Sequence, residues 1–418
     1  MALAVGLFVV ALVVIATERV HRTQVALVGA ALVVITQTID QEHAIESVDF
    51  NTIGLLLGMM VVVRVTEPTG LYNYLAIRAG QMARGRPLAI VIALTGITAV
   101  LSAFLDNLTT ILLMVPITFL LADTLDIPPV PLIVMEIIAS NIGGTSTLIG
   151  DPPNIIIAGA TGLTFNEFIV NLAPIAFVTL IVVVSLLYLF YRSQLQIAPE
   201  NRRRVMEIDP RRSIEDADEL RRTLPVLVLT ILAFFVHQQL GLEPATVALS
   251  GAAVMLAVSR NTVEEALAGV EWATLLFFAG LFVMVGALEE TGAIKEVADG
   301  IASLTAGDRT AELIGISWSA AIGSAVVDNI PFTATMIPVV EQLQGDAGGD
   351  DAYWWALSLG ACFGGNATII AAAANVAASG MAARAGYPIS FMSFLRIGVP
   401  VNFVSMLLAT AYIGLRYL

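Results

Sequence analysis

Lysine occurs once in this chain, at Lys295, and cysteine once, at Cys362. One cysteine excludes an intramolecular disulfide and a cysteine metal cluster. Its apolar, small-residue surroundings read as core packing. No Gly-Lys-Ser/Thr run is present, so the chain has no phosphate-binding loop through which ATP would drive it. The three histidines, His21, His43 and His237, lie far apart and give no ligand spacing. With no nucleophile–base pair either, the chain is not expected to be an enzyme or to need a cofactor. Charge of either sign is scarce. Charged residues make up 13% of the chain and hydrophobic ones 57%, whereas soluble proteins carry about 25% charged residues. The net charge of −14 leaves no basic surface for nucleic acid.

What the chain does have is long apolar runs. Residues 2–16, 91–104 and 176–190 carry no charge, and a helical span needs roughly 20 apolar residues. The partner these runs imply is a lipid bilayer. The period-two alternation of a membrane barrel is absent. Residues 2–16 lack a basic leader and read as a retained first helix.

The runs occur twice. The segment 24–31 (QVALVGAA) returns at 246–253 (TVALSGAA), and 48–70 returns at 270–292. LSAFLDN at 101–107 returns as GSAVVDN at 323–329, which pairs Asp106 with Asp328. After a gap of one residue, GGTSTLIGDPPNI from Gly143 returns as GGNATIIAAAANV from Gly364. Matched leucines and valines between apolar helices arise by chance. Matched Asp-Asn, Gly-Gly and Glu-x-Thr-Gly at a fixed offset indicate duplication. The expected division is a first transmembrane repeat, 1–192, an Arg-rich linker, 193–222, and a second repeat, 223–418.

Arginine sets the expected orientation. The linker holds Arg202, Arg203, Arg204, Arg211, Arg212, Arg221 and Arg222 and is placed in the cytoplasm. Residues 87–122 are interrupted by Asp106-Asn107, with arms of about 18 and 15 residues, short for two full spans. Read as a re-entrant hairpin, this stretch leaves five crossings per repeat, and an odd count inverts the second copy. Both termini then lie outside the cell. Of the 20 basic residues, only Lys295, Arg309 and Arg416 remain outside. The outer loops are acidic, with Asp40, Glu42, Glu46, Asp346, Asp350 and Asp351. The expected fold is an all-α polytopic inner-membrane protein. It comprises two inverted-topology repeats of about five spans, one re-entrant hairpin per repeat, and discontinuous helices at the midplane.

Inverted-repeat transporters bind their ions where helices break. Four breaks are legible. At 102–110, Asp106 lies between apolar arms, with Asn107, Thr109 and Thr110 beside it. An ionisable residue at that depth is costly and marks a functional site, although Asp-Asn opening a helix also makes a good N-cap. At 140–154, Asn141, Gly143, Gly144, Thr145, Thr147, Asp151 and Asn154 surround a Gly-Gly that lets the backbone unwind and a Pro-Pro that ends a helix. The second copy offers Asp328, Asn329 and Thr333, then Gly364, Gly365, Asn366, Thr368 and Asn375. It has lost the Asp-Pro-Pro, so Asp151 faces Ala372 and the halves differ chemically. A Na+ ion is expected at Asp106, Asn107, Asp328 and Asn329. Glu-x-Thr-Gly at 67–70 and 289–292 reads as a structural C-cap. Arg396, near the start of the last span, reads as a side chain reaching back to the interface.

The stretches VDFNTIGLLLGMM, LSAFLDNLTTILLMVPIT and NIGGTSTLIGDPPNIII resemble the arsenite-permease and melanosomal P protein branch of the ion transporter superfamily, over essentially the whole chain. The resemblance implies a scaffold region and a transport region, hairpin tips meeting at the site, and a homodimer. Related dicarboxylate carriers have Ser-Asn-Thr at the tips. Here Asp-Asn stands there, and a tip carboxylate repels an anion unless protonated or neutralised. The expected function is an ion-coupled secondary active transporter, driven by H+ or Na+, that moves a small inorganic ion or an oxyanion or metalloid by alternating access. A Na+/H+ antiporter is the alternative. An anion channel and a dicarboxylate symporter rank below both.

Overall fold

The computed structural model describes every residue except Glu18, Gly85, Ile208, Ala347 and Gly348. The side chains of Arg203 and Asp346, which enter the charge count above, also lie outside the described residues. Among the described residues the chain folds into helices, with no strand. Six helical stretches are long and apolar enough to cross a bilayer: Gln41–Thr69, Pro87–Phe104, Asn107–Leu125, Phe165–Tyr191, Trp272–Glu290 and Phe391–Arg416. Shorter apolar helices cover Ala2–Ala16, Arg22–Ile35, Pro129–Gly144 and Pro244–Val258.

The helix ends follow local chemistry. The Asp49 side chain accepts from the Asn51 amide at 2.9 Å and opens Phe50–Thr66. Thr164 and Glu167 form a reciprocal capping box, so the last span of the first half begins at Phe165. Gly70 and Gly292 hold φ of 78° and 76°, the left-handed conformation that ends a helix at little cost only for glycine. Both Glu-x-Thr-Gly motifs therefore act as stops, as expected. Each is followed by a short helix, Leu71–Met82 and Ala293–Thr305.

Two expectations need correction. The arms of the first interrupted stretch run 18 and 19 residues, Pro87–Phe104 and Asn107–Leu125. Arm length therefore does not distinguish a re-entrant hairpin from two spans. The linker, expected as a solvated cytoplasmic connector with membrane-surface helix character, also packs on the first half. Ser213 packs so closely on Gly70 that a Cβ there would fall 1.7 Å from its carbonyl oxygen. The Glu215 amide also donates to the Thr69 carbonyl at 3.1 Å, and Asn201 donates to the Leu125 carbonyl at 3.2 Å.

The halves pack on each other reciprocally. Phe50–Thr66 lies against Pro244–Val258, and Trp272–Glu290 lies against Arg22–Ile35. A Cβ on Gly58 would sit 2.5 Å from the Ala248 backbone, and one on Gly280 would sit 2.8 Å from the Ala26 backbone. These are the same two positions with the halves exchanged. Small residues at such crossings let helix backbones touch, which is how helices associate where no water drives them together. The arm Asn107–Leu125 likewise packs on Ala373–Arg384, and Asn329–Asp346 packs on Pro152–Thr161. Each half meets the other through the same surfaces, as in a two-fold arrangement.

Candidate functional site

Two helix hairpins and two broken helices build the site. The first hairpin turns at Leu105-Asp106, and the second joins Arg309–Val326 to Asn329–Asp346. The broken helices are Pro129–Gly144 with Pro152–Thr161, and Ala352–Gly364 with Ala373–Arg384. Each hairpin packs on its own broken helix through glycine. A Cβ on Gly143 would lie 2.4 Å from Ala99, and one on Gly364 would lie 2.7 Å from the Ala321 carbonyl. The threonines after these glycines fasten the arms. Thr147 donates to the Ala103 carbonyl, and Thr368 donates to that of Ala325 at 2.8 Å.

The two tips share a backbone that side chains rarely adopt, with φ of 132° at Asp106 and 139° at Asp328. Each aspartate caps the helix that follows. Asp106 accepts from the Thr109 amide at 2.8 Å, and Asp328 accepts from the Ile330 amide at 3.0 Å. The strained residue turns the next one, an asparagine, into the protein. Asn107 and Asn329 both donate to Oδ1 of Asp151, each at 3.1 Å.

Asp151 is therefore the junction of the site. It is fully buried, bonded through Oδ1 to both tips, and its Oδ2 has no partner. Asn141 joins the cluster by accepting from Asn107 at 3.3 Å and donating to Asn366 at 3.1 Å and Asn375 at 3.0 Å. Asn375 donates to the carbonyls of Gly365 and Thr368. Asn154 donates to those of Thr145 and Thr147 and accepts from Ser358 at 2.6 Å. No lysine or arginine belongs to this bonded network among the described residues. Among the described residues, five buried atoms in these segments stand without partners: Asp151 Oδ2, Asn366 Nδ2, Thr110 Oγ1, Ser324 Oγ and Glu136 Oε2. A buried polar atom left unpaired costs about 1–3 kcal/mol. Such atoms persist where a ligand, an ion or a proton completes them.

The structure sorts the expected site residues into three groups. Asn107, Asn141, Asp151, Asn329, Asn366 and Asn375 share one hydrogen-bonded cluster. Asn154, Gly143, Gly144, Thr145, Thr147, Gly364, Gly365, Thr368 and Thr333 shape its backbone, Thr145 and Thr333 by bonding the carbonyls of Asn141 and Asn329. Asp106, Thr109 and Asp328 lie at the tips, outside the cluster. Asp328 is moreover paired with Arg22 at 3.0 Å, whose guanidinium lies 5.1 Å from the Phe277 ring centre. From sequence, Arg22 counted only as an orienting charge. Ser140 and Ser358 were also missed, since single serines in apolar runs carry little signal. Cys362 packs as expected, but against the cluster, 3.6 Å from Asn154.

Cavities lie beside these segments. One of about 400 Å3 reaches Asp328, Arg22 and His21. Pro244 stands in the second half where Arg22 stands in the first, and the cavity beside it, lined also by Thr52, Ile155 and Glu243, measures about 20 Å3. A third, of about 440 Å3, is lined by Glu46, Asp49, Glu289 and Glu341.

Apolar helices broken around a buried polar junction, with two hairpin tips meeting on it, define a membrane transporter. The chain belongs to the CitMHS family, described as citrate transporter, whose model matches residues 12–360. An uncharacterised transporter of Mycobacterium bovis is 46% identical over 99% of this chain and 98% of its own length. The P protein of Sus scrofa is 35% identical over 96% of this chain, which spans 58% of that protein. The P protein of Homo sapiens is 34% identical over 95% of this chain and 57% of its own. The resemblance to P protein-like permeases is thus borne out. Among solved structures, the YdaH transporter of Alcanivorax borkumensis superposes with a TM-score of 0.62 at 15% identity, covering 99% of this chain and 98% of its own. That likeness shows the fold.

Proposed function

We propose that the chain is an ion-coupled secondary active transporter in which Asp151 carries the coupling ion, H+ or Na+, and the tip and broken-helix amides hold the solute. The observation that carries this reading is Asp151 itself. One carboxylate oxygen is held by both hairpin tips and the other is free, so loading this residue changes how the two halves hold each other. A carboxylate is the ligand expected for a hard cation or a proton.

The proposed topology is two inverted repeats with re-entrant hairpins in the inner membrane, the linker cytoplasmic and both termini outside. Residues assigned to one side keep company. Arg309 pairs with Asp350, Arg260 pairs with Asp218, and Tyr417 bonds Asn171. Each hairpin turn also touches the middle of a broken helix, which supports a re-entrant position. A homodimer remains part of this reading.

Two solutes compete: an oxyanion, metalloid or carboxylate such as the family description names, and Na+ exchanged for protons. The charge of the cluster favours Na+/H+ antiport. Asp151 would oppose an anion, and Arg22, the cation nearest the tips among the described residues, is already paired with Asp328. Everted vesicles with a pH dye test this. Na+-dependent proton release in the wild type, absent in Asp151→Asn, is expected. No response to Na+ in the wild type would move the weight to an anion or metalloid, with arsenite uptake measured in the same vesicles.

A further inference from the structure

The last spans of the two halves leave a groove between them. Phe165–Tyr191 packs on Phe391–Arg416. The two run antiparallel, since Tyr417 bonds Asn171 at one end, while Phe190 and Arg396 line one cavity at the other. That cavity measures about 250 Å3. Val183, Leu187 and Phe190 form one wall, and Ile397, Val401 and Val404 form the other. From Phe190 to Val183 it extends roughly 10 Å along the helix axis. Arg396 is its one charged lining residue among the described residues.

Arg396 is exposed, and among the described residues it has no hydrogen-bond or ion-pair partner. The fold does not call for an arginine here. Phe391, Phe394 and Pro400 match Phe165, Phe168 and Pro174 at one offset, which matches Arg396 to Val170. Orientation alone would explain an arginine at the proposed cytoplasmic edge, but not an apolar groove leading from it. A charged head site joined to an apolar trough, both open to the bilayer, is the shape of a phospholipid. Basic pockets between transmembrane helices on the cytoplasmic side take anionic head groups, and a guanidinium matches phosphate oxygens in pairs.

A second copy of this chain fits the groove less well. A two-fold pair through this face keeps equal depths together, so arginine would meet arginine. No acid stands at that level on either helix. Phe391–Arg416 has none, and Phe165–Tyr191 has only Glu167, which is held in the Thr164 cap at the far end.

We propose that this groove binds an anionic phospholipid, with its phosphate on the Arg396 guanidinium and the start of an acyl chain between Phe190 and Val404. The site is independent of the role of Asp151. It lies behind the central cluster, however. Gly398, next to Ile397, packs so closely on the second broken helix that a Cβ there would fall 2.5 Å from the Asn366 carbonyl oxygen. A lipid in the groove therefore steadies the span that backs Asn366.

Native mass spectrometry of the purified chain, titrated with phosphatidylglycerol or phosphatidylcholine of the same acyl chains, tests this without a transport substrate. The wild type should bind phosphatidylglycerol at least about fivefold more tightly, the effect of one arginine near the surface. Arg396→Val, which copies the first half, should remove that preference, and so should Arg396→Gln, which keeps most of the side chain's reach. Arg19→Val, at an exposed arginine on the same proposed side, should keep it. Val404→Trp fills the groove and should weaken binding of both lipids without changing the preference. Inorganic phosphate should not displace the lipid. A preference unchanged in both Arg396 variants, or displacement by phosphate alone, would overturn the proposal. So would a dimer that separates in Val404→Trp while lipid binding stays at the wild-type level, which would give the groove to a second copy.

Discussion

The two hairpin tips are alike in backbone and unlike in charge. Both hold aspartate at an unusual φ, and both send an asparagine to the same oxygen of Asp151. Asp328, however, is neutralised by Arg22, whereas Asp106 faces the half in which proline, Pro244, takes arginine's place. The central acid itself belongs to one half only, since Ala372 stands opposite. The matched amides and helix breaks form a symmetric frame, and the charges within it are unequal. A transporter needs both. In the proposed mechanism the frame would let two states be nearly equivalent, and the unequal charges would couple the change of state to an ion.

The largest effect should come from removing the shared junction. Asp151→Asn keeps the volume and the amide contacts but removes the charge, and transport should fall below detection while the protein still purifies as the wild type does. Next come Asn107→Ala and Asn329→Ala. Each removes one hydrogen bond to a charged group, worth about 1.5–3 kcal/mol, so each should slow transport roughly 10- to 100-fold. Asn107 also donates to Asn141, so its loss should be the larger of the two, and a larger loss at Asn329 would show that the second tip dominates. Asp106→Asn preserves the cap oxygen for Thr109 and should cost transport about tenfold, a hydrogen-bond-sized effect. Arg22→Gln should lower thermal stability, because Asp328 is 6% exposed and loses its partner. The pair is partly open to solvent, so the cost should be about 1–3 kcal/mol, below that of a fully buried pair. Asp328→Asn in the same chain should restore most of it. The smallest effect belongs to Arg64→Gln. Its pair with Glu67 is well exposed, at 43% and 39%, and should contribute at most about 1 kcal/mol.

Much of this frame was legible in the residues. The fixed offset between the matched segments, such as 24–31 and 246–253, predicted which helices would match, and the glycine and Asp-Asn positions named the breaks. The sequence also showed that Asp151 had no counterpart. It could not show which acid sits at the centre, because that depends on where φ at Asp106 and Asp328 sends the next side chain. The tips looked like the ion site since their aspartates recur, yet their oxygens cap helices, and the asparagines reach inward. Arg22 escaped notice because its partner lies 306 residues away. Glu136 was hidden by a different cause. One acid in an apolar helix has no pattern to mark it, and only its burial and unpaired oxygen set it apart.

The central claim is that Asp151 holds the coupling ion. Proteoliposomes adsorbed on a solid-supported membrane, given Na+ jumps and pH jumps in turn, test it most directly. The wild type should give a transient current to at least one jump, and Asp151→Asn should give none to either. Currents of wild-type size in Asp151→Asn, or a wild type silent to both jumps, would contradict the account.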